Sequence, residues 1–169
     1  IINAGDFFSL KDRVFNSKCK YSSLKEAQVL VEKVITCFPY HQGIYQGIMG
    51  GNHDKKGLKY GFDAIENLTQ NRDDFIDFGY DNCLLTFEGY NSIICKKCNS
   101  IAFHHPHRRY KEEITPSGYN IQQLLDYVRP IDTVLFKNSE IYLDIFGHFH
   151  KSGFDPESGI CLVPSYNND

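Results

Sequence analysis

The sequence lacks the long apolar segments of an integral membrane protein. No run approaches the ~20 consecutive apolar residues that a spanning helix requires, so we expect no association with a membrane. An excess of charge of one sign is also missing, since the formal net charge is -3, which argues against binding nucleic acid through overall charge. Internal repeats, low-complexity tracts and linkers are absent too. We therefore predict that residues 1–169 form a single domain.

The six cysteines do not supply a zinc framework. Cys95 and Cys98 form one C-x-x-C pair, but a closed structural zinc site takes four ligands and no second pair is present. We interpret the pair as thiols in a hairpin turn, with a zinc knuckle as the alternative. Cysteine usage and the absence of a recognisable signal peptide in the sequence predict a reducing, cytoplasmic setting.

Hydrophobic periodicity predicts alternating helices and strands early in the chain and mainly strands later. Ser23 to Glu26 is a capping box that starts a helix, and Pro39 ends that helix near Cys37. This order predicts an α/β domain with a mixed sheet. The further predicted elements are strand 44–49, helix 62–68, hairpin strands 84–87 and 92–95, strand 101–103, a helix from Ile121 that Pro130 ends, and strands 133–136, 142–146 and 161–163.

Four short segments place oxygen or imidazole ligands directly after apolar strands. Sites in α/β sheets form outside the carboxyl ends of the strands, so we expect these segments to converge at one sheet edge. Their carboxylate, amide and imidazole groups suit a pair of divalent cations that hydrolyses a phosphoester. In chain order, the segments are Gly5-Asp6, Gly51-Asn52-His53-Asp54, His104-His105-Pro106 and Gly147-His148-Phe149-His150.

The segment from Gly51 to Asp54 is the most specific of the four. Asn52 supplies a side-chain carbonyl, an unusual metal ligand, and Asp54 is placed to hold the ring of His53. A cationic His53 beside a phosphate would stabilise the transition state or protonate the leaving oxygen. The alternative is a Gly-Asn turn with solvated side chains. Asp6, taken alone, is explained more simply as part of an ordinary turn.

The two histidine-rich segments supply the remaining candidate ligands. A strand delivers His104 to the sheet edge, and we take it as the ligand, with His105 at the surface or in a supporting position. Arg108 could bind a phosphate bidentately, although a solvated basic turn explains it equally well. His148 and His150 point the same way on an extended segment, so one imidazole could serve each of two cations.

Together these segments resemble the calcineurin-like metallophosphoesterase superfamily, in that family's order and from Gly5 to His150. The resemblance implies a layered α/β/β/α sandwich with mixed sheets. It also implies a phosphoric ester hydrolase with two divalent metal ions (Mn, Zn or Fe) and a bridging hydroxide. The residues it assigns are Asp6 as the bridging ligand, Asn52, His104 and His148 on one metal, His150 on the other, His53 with Asp54 as the catalytic pair, and Asn52, His53 and Arg108 toward the substrate.

The family's opening Asp-x-His motif is not found in the sequence. Because the chain opens on what reads as the end of a core strand, we expect the domain to be incomplete at its N-terminus and this fragment to be inactive alone. The implied partner is a phosphoester, and nucleic acid is one candidate substrate. Two alternatives stay open, a DNA nuclease of the same superfamily and a catalytically silent scaffold with this fold.

Overall fold

The computed structural model of the chain describes residues 2–5, 24–86, 100–106, 121–137, 140–149 and 152–164. Within these ranges the protein is a mixed α/β structure with two sheets and three α-helices, which agrees with the predicted α/β class. None of the helices described is long and apolar enough to cross a membrane. The chain divides into two compact units, Ile1–Cys83 and Leu84–Asp169.

Three parallel strands form the sheet in the described part of the first unit, in the order β1-β2-β3. The central strand, β2, is buried along its whole length. A fully buried strand between two parallel neighbours accounts for its apolar character. The elements in chain order are β1 (Ile2–Ala4), α1 (Leu24–Cys37), β2 (Gln46–Gly50), a 3₁₀ helix (Asp54–Tyr60), α2 (Ala64–Thr69) and β3 (Phe75–Tyr80).

The core of the first unit joins both α-helices to the sheet. Val31 of α1, Ile48 of β2 and Ile65 of α2 are buried together, and each such side chain stabilises the fold by ~1.5–3 kcal/mol. Leu30 and Val34 pack against this cluster at the margin of the same helix face. The helical spacing of apolar residues therefore predicted both the existence and the buried face of α1.

Two glycines in β2 allow aromatic residues of β3 to lie directly over the strand. A Cβ atom at Gly47 would come within 2.3 Å of the Phe78 ring, and one at Gly50 within 2.3 Å of the Tyr80 ring. At Gly50 the Ile65 side chain is also only 2.9 Å away. These contacts leave no room for a side chain, so packing requires glycine at both positions.

A half-buried arginine connects the end of α1 to the start of β3. Arg72 donates through Nη1 to the carbonyl of Ile35 at 3.1 Å and also to the carbonyl of Phe38, which satisfies acceptors that a helix end leaves open. Its Nε donates to Asp74 Oδ1 at 2.8 Å, and its guanidinium lies 4.5 Å from the Phe75 ring centroid. The hydrogen bond from Arg72 lowers the pKa of Asp74, and the same bond raises the pKa of Arg72.

The sheet of the second unit has the order β4-β5-β6-β8-β7 among the described strands. The central strands β5, β6 and β8 are parallel, whereas β7 is antiparallel to β8, so the sheet is mixed as predicted. Leu124 and Val128 of α3 pack on Phe146, Ile160 and Leu162. The elements are β4 (Asn82–Thr86), β5 (Ser100–His104), α3 (Ile121–Val134), β6 (Ile141–Phe146), β7 (Gly153–Asp155) and β8 (Ile160–Leu162).

Pro130 lies inside α3, so the prediction that it ends this helix is wrong. Proline removes one helix hydrogen bond and disfavours the helical conformation of the preceding turn. Hydrogen bonds close to Pro130 nevertheless maintain the helix here. The Thr133 hydroxyl donates to the carbonyl of Arg129 at 2.9 Å. The N–H of Leu135 donates to the carbonyl of Ile131 at 2.7 Å. These bonds carry the helix one turn beyond the proline.

The buried strand predicted over residues 133–136 is also wrong. Val134 and Leu135 are 78% and 55% exposed, and only Phe136 is buried. The apolar run was short enough to fit either a strand or the end of a helix, and periodicity alone does not distinguish these. The sequence did not predict β3, β7 or the 3₁₀ helix. The hairpin strand predicted over 92–95 lies outside the described residues.

We predict that Gly50→Ala destabilises the first unit by about 2 kcal/mol, because the new methyl group overlaps the Tyr80 ring. Urea unfolding measures the effect. Gly153→Ala is a matched control on another strand, since its Cβ would meet Leu162 at an ordinary 3.5 Å. Equal destabilisation by both substitutions would contradict the packing argument.

A second prediction concerns the Arg72–Asp74 pair under acid. Because the folded-state pKa of Asp74 is lowered, its stabilising contribution is present above the unfolded pKa of about 3.9 and is lost as the pH falls through the folded value. The difference in unfolding free energy between wild type and Asp74→Asn should therefore be largest near neutral pH and shrink below about pH 4. Urea unfolding at neutral and acid pH measures it. A difference that is independent of pH would show that the Asp74 charge does not stabilise the fold.

Candidate functional site

The chain turns at Gly5, immediately after β1, as the sequence predicted. Gly5 has a φ of 105°, and its N–H donates to Asn3 Oδ1 at 3.1 Å. This left-handed conformation is readily adopted by glycine and strained for other residues. The candidate ligand Asp6, which follows this turn, lies outside the described residues.

The segment from Gly51 to Asp54 forms a closed loop at the carboxyl end of β2. Asp54 is fully buried, and its Oδ2 accepts a hydrogen bond from the Gly51 N–H at 2.9 Å. The N–H of Lys55 donates to the Gly51 carbonyl at 3.1 Å. Asp54 was expected to hold the ring of His53. The bond described here runs to the backbone, so Asp54 shapes the loop that presents Asn52 and His53, both partly exposed.

A polar network holds the end of β3 beside this loop. The Tyr80 hydroxyl donates to Asp63 Oδ1 at 2.7 Å, and the same oxygen caps α2 by accepting from the N–H groups of Ile65 and Glu66. Burial raises the pKa of Tyr80 well above its usual range, and the bond to Asp63 raises it further. The N–H of Asp81 donates to the Gly50 carbonyl at 3.2 Å, which ties β3 to the start of the loop.

His104, the last residue of β5, has the environment of a core side chain. Its exposed fraction is 0%, and its Nε2 lies 2.9 Å from Oδ1 of Asp144 on β6. Its ring centroid lies 4.9 Å from that of Phe146 and 6.1 Å from those of Phe136 and Tyr127. The imidazole therefore faces the layer of α3 and is held there by a carboxylate.

A second carboxyl group lies near this pair. Asp132, on α3, has a buried Oδ1 with no hydrogen-bond partner in the described part of the chain. Burial raises the pKa of Asp132, the charge of Asp144 raises it further, and His104 lowers it. A buried carboxyl oxygen without a hydrogen-bond partner raises the free energy of the folded state when the group is ionised. The ionised Asp132 therefore destabilises this end of α3 in the second unit.

His105 is buried, at 1% exposure, so a surface position for this residue is excluded. Its ring centroid lies 5.1 Å from that of His148, with an angle of 81° between the rings. His148 has a φ of 81°, in the left-handed region that residues with a side chain rarely adopt. The Gly147 N–H donates to the His104 carbonyl at 2.9 Å, which fixes the two strand ends side by side.

The structure thus brings together two subsets of the predicted residues. Asn52, His53 and Asp54 share one loop of the first unit, and the segments of His104 and His148 are neighbours in the second. Within the ranges that the structure covers, no group of three His, Cys, Asp or Glu side chains is arranged to hold a metal ion. The remaining candidates lie outside those ranges: Asp6, Arg108 and His150, with the cysteines Cys95 and Cys98.

The contact between His105 and His148 was missed at the level of the sequence. Consecutive residues of a strand point to opposite faces, so a signal existed: if His104 faces the core, His105 faces the other side. Deciding which of the two faces the core requires knowing where α3 packs.

Comparison with known protein families, curated proteins and solved structures finds no match for this chain. The resemblance to the calcineurin-like metallophosphoesterases therefore rests on the four segments alone.

We predict that Asp54→Ala lowers stability by about 2 kcal/mol, because it leaves the Gly51 N–H without its acceptor in a buried loop. Asp54→Asn, which keeps a side-chain oxygen, should cost clearly less. Thermal unfolding measures both, with Asp73→Ala at an exposed position as the control. Equal losses for the alanine and asparagine variants would show that this hydrogen bond does not hold the loop.

Proposed function

We propose that the chain is a metal-dependent phosphoesterase that hydrolyses phosphomonoesters or phosphodiesters. The observation that carries this proposal is the position of the candidate ligands in both units. Asn52 and His53 follow the central strand of one parallel sheet. His104 ends one of two paired parallel strands of the other unit, and His148 closely follows the end of the second. The carboxyl ends of parallel strands are where sites form in α/β proteins.

The available donors fit divalent cations of borderline character. Imidazole suits Zn²⁺ and Fe²⁺, and carboxylate and amide oxygens suit Mn²⁺. The proposed ligands are those that the resemblance names: Asp6, Asn52, His104, His148 and His150. Two such cations, when bound, would polarise the phosphoryl oxygens and lower the pKa of the attacking water. The proposed layering is the α/β/β/α sandwich of that superfamily.

His53 is the candidate general acid. It lies in a loop closed by the Asp54–Gly51 hydrogen bond, so its backbone is fixed while its side chain remains partly exposed. A histidine in that position can hydrogen-bond a phosphoryl oxygen or give a proton to the leaving oxygen. Arg108 is proposed to bind the phosphate through the paired N–H groups of its guanidinium.

The direct test measures hydrolysis of p-nitrophenyl phosphate and bis(p-nitrophenyl) phosphate in the presence of Mn²⁺ or Zn²⁺. Both the 169-residue chain and the longest natural chain that contains it are assayed, before and after chelation. Turnover that chelation abolishes and added metal restores would support the proposal. Metal-independent hydrolysis, or none from either chain, would reject it, and the absence of hydrolysis would favour the silent scaffold.

In the active chain, we predict that His53→Ala lowers kcat by ~10²–10⁴-fold, the range for loss of a general acid. Its metal content should stay at the wild-type level, because His53 is not a proposed ligand. Asn52→Ala should instead lower metal content, and His41→Ala, at an exposed position, should change neither. Elemental analysis and steady-state kinetics separate these cases. Loss of metal from His53→Ala equal to that from Asn52→Ala would make His53 a ligand.

A further inference from the structure

We propose that His105, and not His104, is the partner of His148 in holding a divalent cation. This inference rests on the proposed function, and it changes the residue that the sequence pattern assigns. It concerns the second unit alone, where both strand ends and all three imidazoles are described.

The surroundings of His104 argue against a ligand role. Its Nε2 is engaged by the Asp144 carboxylate at 2.9 Å, and its ring is fully buried among aromatic side chains of α3 and β6. A carboxylate on one ring nitrogen often supports a metal on the other. The ring of His104 also contacts the aromatic rings of Tyr127, Phe136 and Phe146, which offer no metal ligand. His104 with Asp144 therefore has the contacts of a structural pair.

His105 leaves the strand on the other face. Residues that follow one another along a strand alternate in direction, and the contacts follow this rule: His104 touches Phe146, its register partner on β6, while His105 touches His148. The ring of His105 is thereby placed against a second imidazole, that of His148.

The spacing of the two rings fits a shared cation. Two imidazoles on one tetrahedral metal, each at a metal–nitrogen distance of about 2.0–2.1 Å, have ring centroids about 5 Å apart. The centroids of His105 and His148 are 5.1 Å apart. Imidazole is a good ligand for Zn²⁺, so a pair at this distance is suited to a zinc ion whose further ligands come from other residues or water.

The backbone supports this pairing at two points. The hydrogen bond from the Gly147 N–H to the His104 carbonyl fixes the two strand ends relative to each other. The left-handed φ of 81° at His148 departs from strand geometry, and the ring it carries lies against His105. Residues with side chains in this conformation concentrate at functional sites, where the surrounding structure maintains them.

The experiment titrates the 169-residue chain with Zn²⁺ by calorimetry and compares His105→Gln, His148→Gln and His104→Gln. The first two should each weaken Zn²⁺ binding by at least ~10-fold, since even groups that only support a ligand contribute 10–100-fold. His104→Gln should change the affinity by less than about 3-fold, well below that range, and should lower Tm because the buried Asp144 loses its partner.

A second measurement uses the wild-type chain, so its result does not depend on whether a variant folds. Long-range ¹H–¹⁵N spectra of the wild-type chain report the ring nitrogens of each histidine during the Zn²⁺ titration. One ring nitrogen of His105 and one of His148 should shift with the same saturation curve, while those of His104 stay close to their starting values.

The inference and the proposed function fail in different ways. Loss of Zn²⁺ affinity in His104→Gln with normal affinity in His105→Gln would overturn the inference and leave the phosphoesterase proposal intact. Zn²⁺ bound through His105 and His148 without any metal-dependent hydrolysis would support the inference and reject the phosphoesterase. No Zn²⁺ binding by the wild-type chain would overturn the inference and reduce the ring contact to aromatic packing.

Discussion

The first unit depends on how closely β3 approaches the buried strand β2. Over Gly47 and Gly50 the rings of Phe78 and Tyr80 occupy the space that side chains would otherwise fill. That approach brings the Tyr80 hydroxyl to Asp63, which also caps α2. The end of β2, its loop and the start of α2 are therefore held by one set of contacts. A candidate catalytic loop needs such support, because side chains act on a substrate only when their backbone is fixed.

Two adjacent histidines of the second unit, His104 and His105, have different surroundings. His104, at the end of β5, lies among aromatic side chains and pairs with Asp144, whereas the ring of the next residue, His105, contacts the ring of His148. The sequence motif alone does not show that His104 and His105 have different surroundings. In a sheet they belong to opposite sides, and the packing of α3 decides which side is the core.

Much of the fold could be predicted from the sequence because local patterns matched the final packing. The apolar face of α1, the ends of β2 and β5 to within one residue, the end of β6 at Phe146 and the turn at Gly5 all follow from nearby residues. Predictions failed where contacts between residues far apart in the sequence determine the local structure. Helix α3 continues through Pro130, and residues 133–136, expected to form a strand, include the end of that helix. His105 is buried through contacts with another segment of the chain. The local sequence pattern does not reveal these contacts.

The partly buried carboxyl group of Asp132 makes the two units respond to acid in different pH ranges. The lowered pKa of Asp74 means that protonation removes a stabilising charge from the first unit. The raised pKa of Asp132 means that the folded second unit takes up a proton more readily than its unfolded chain does, so acidification relieves a cost there until the unfolded group titrates as well. Acidification to about pH 4 therefore relieves a cost in the second unit while the contribution of Asp74 is still intact, and only stronger acid weakens the first unit.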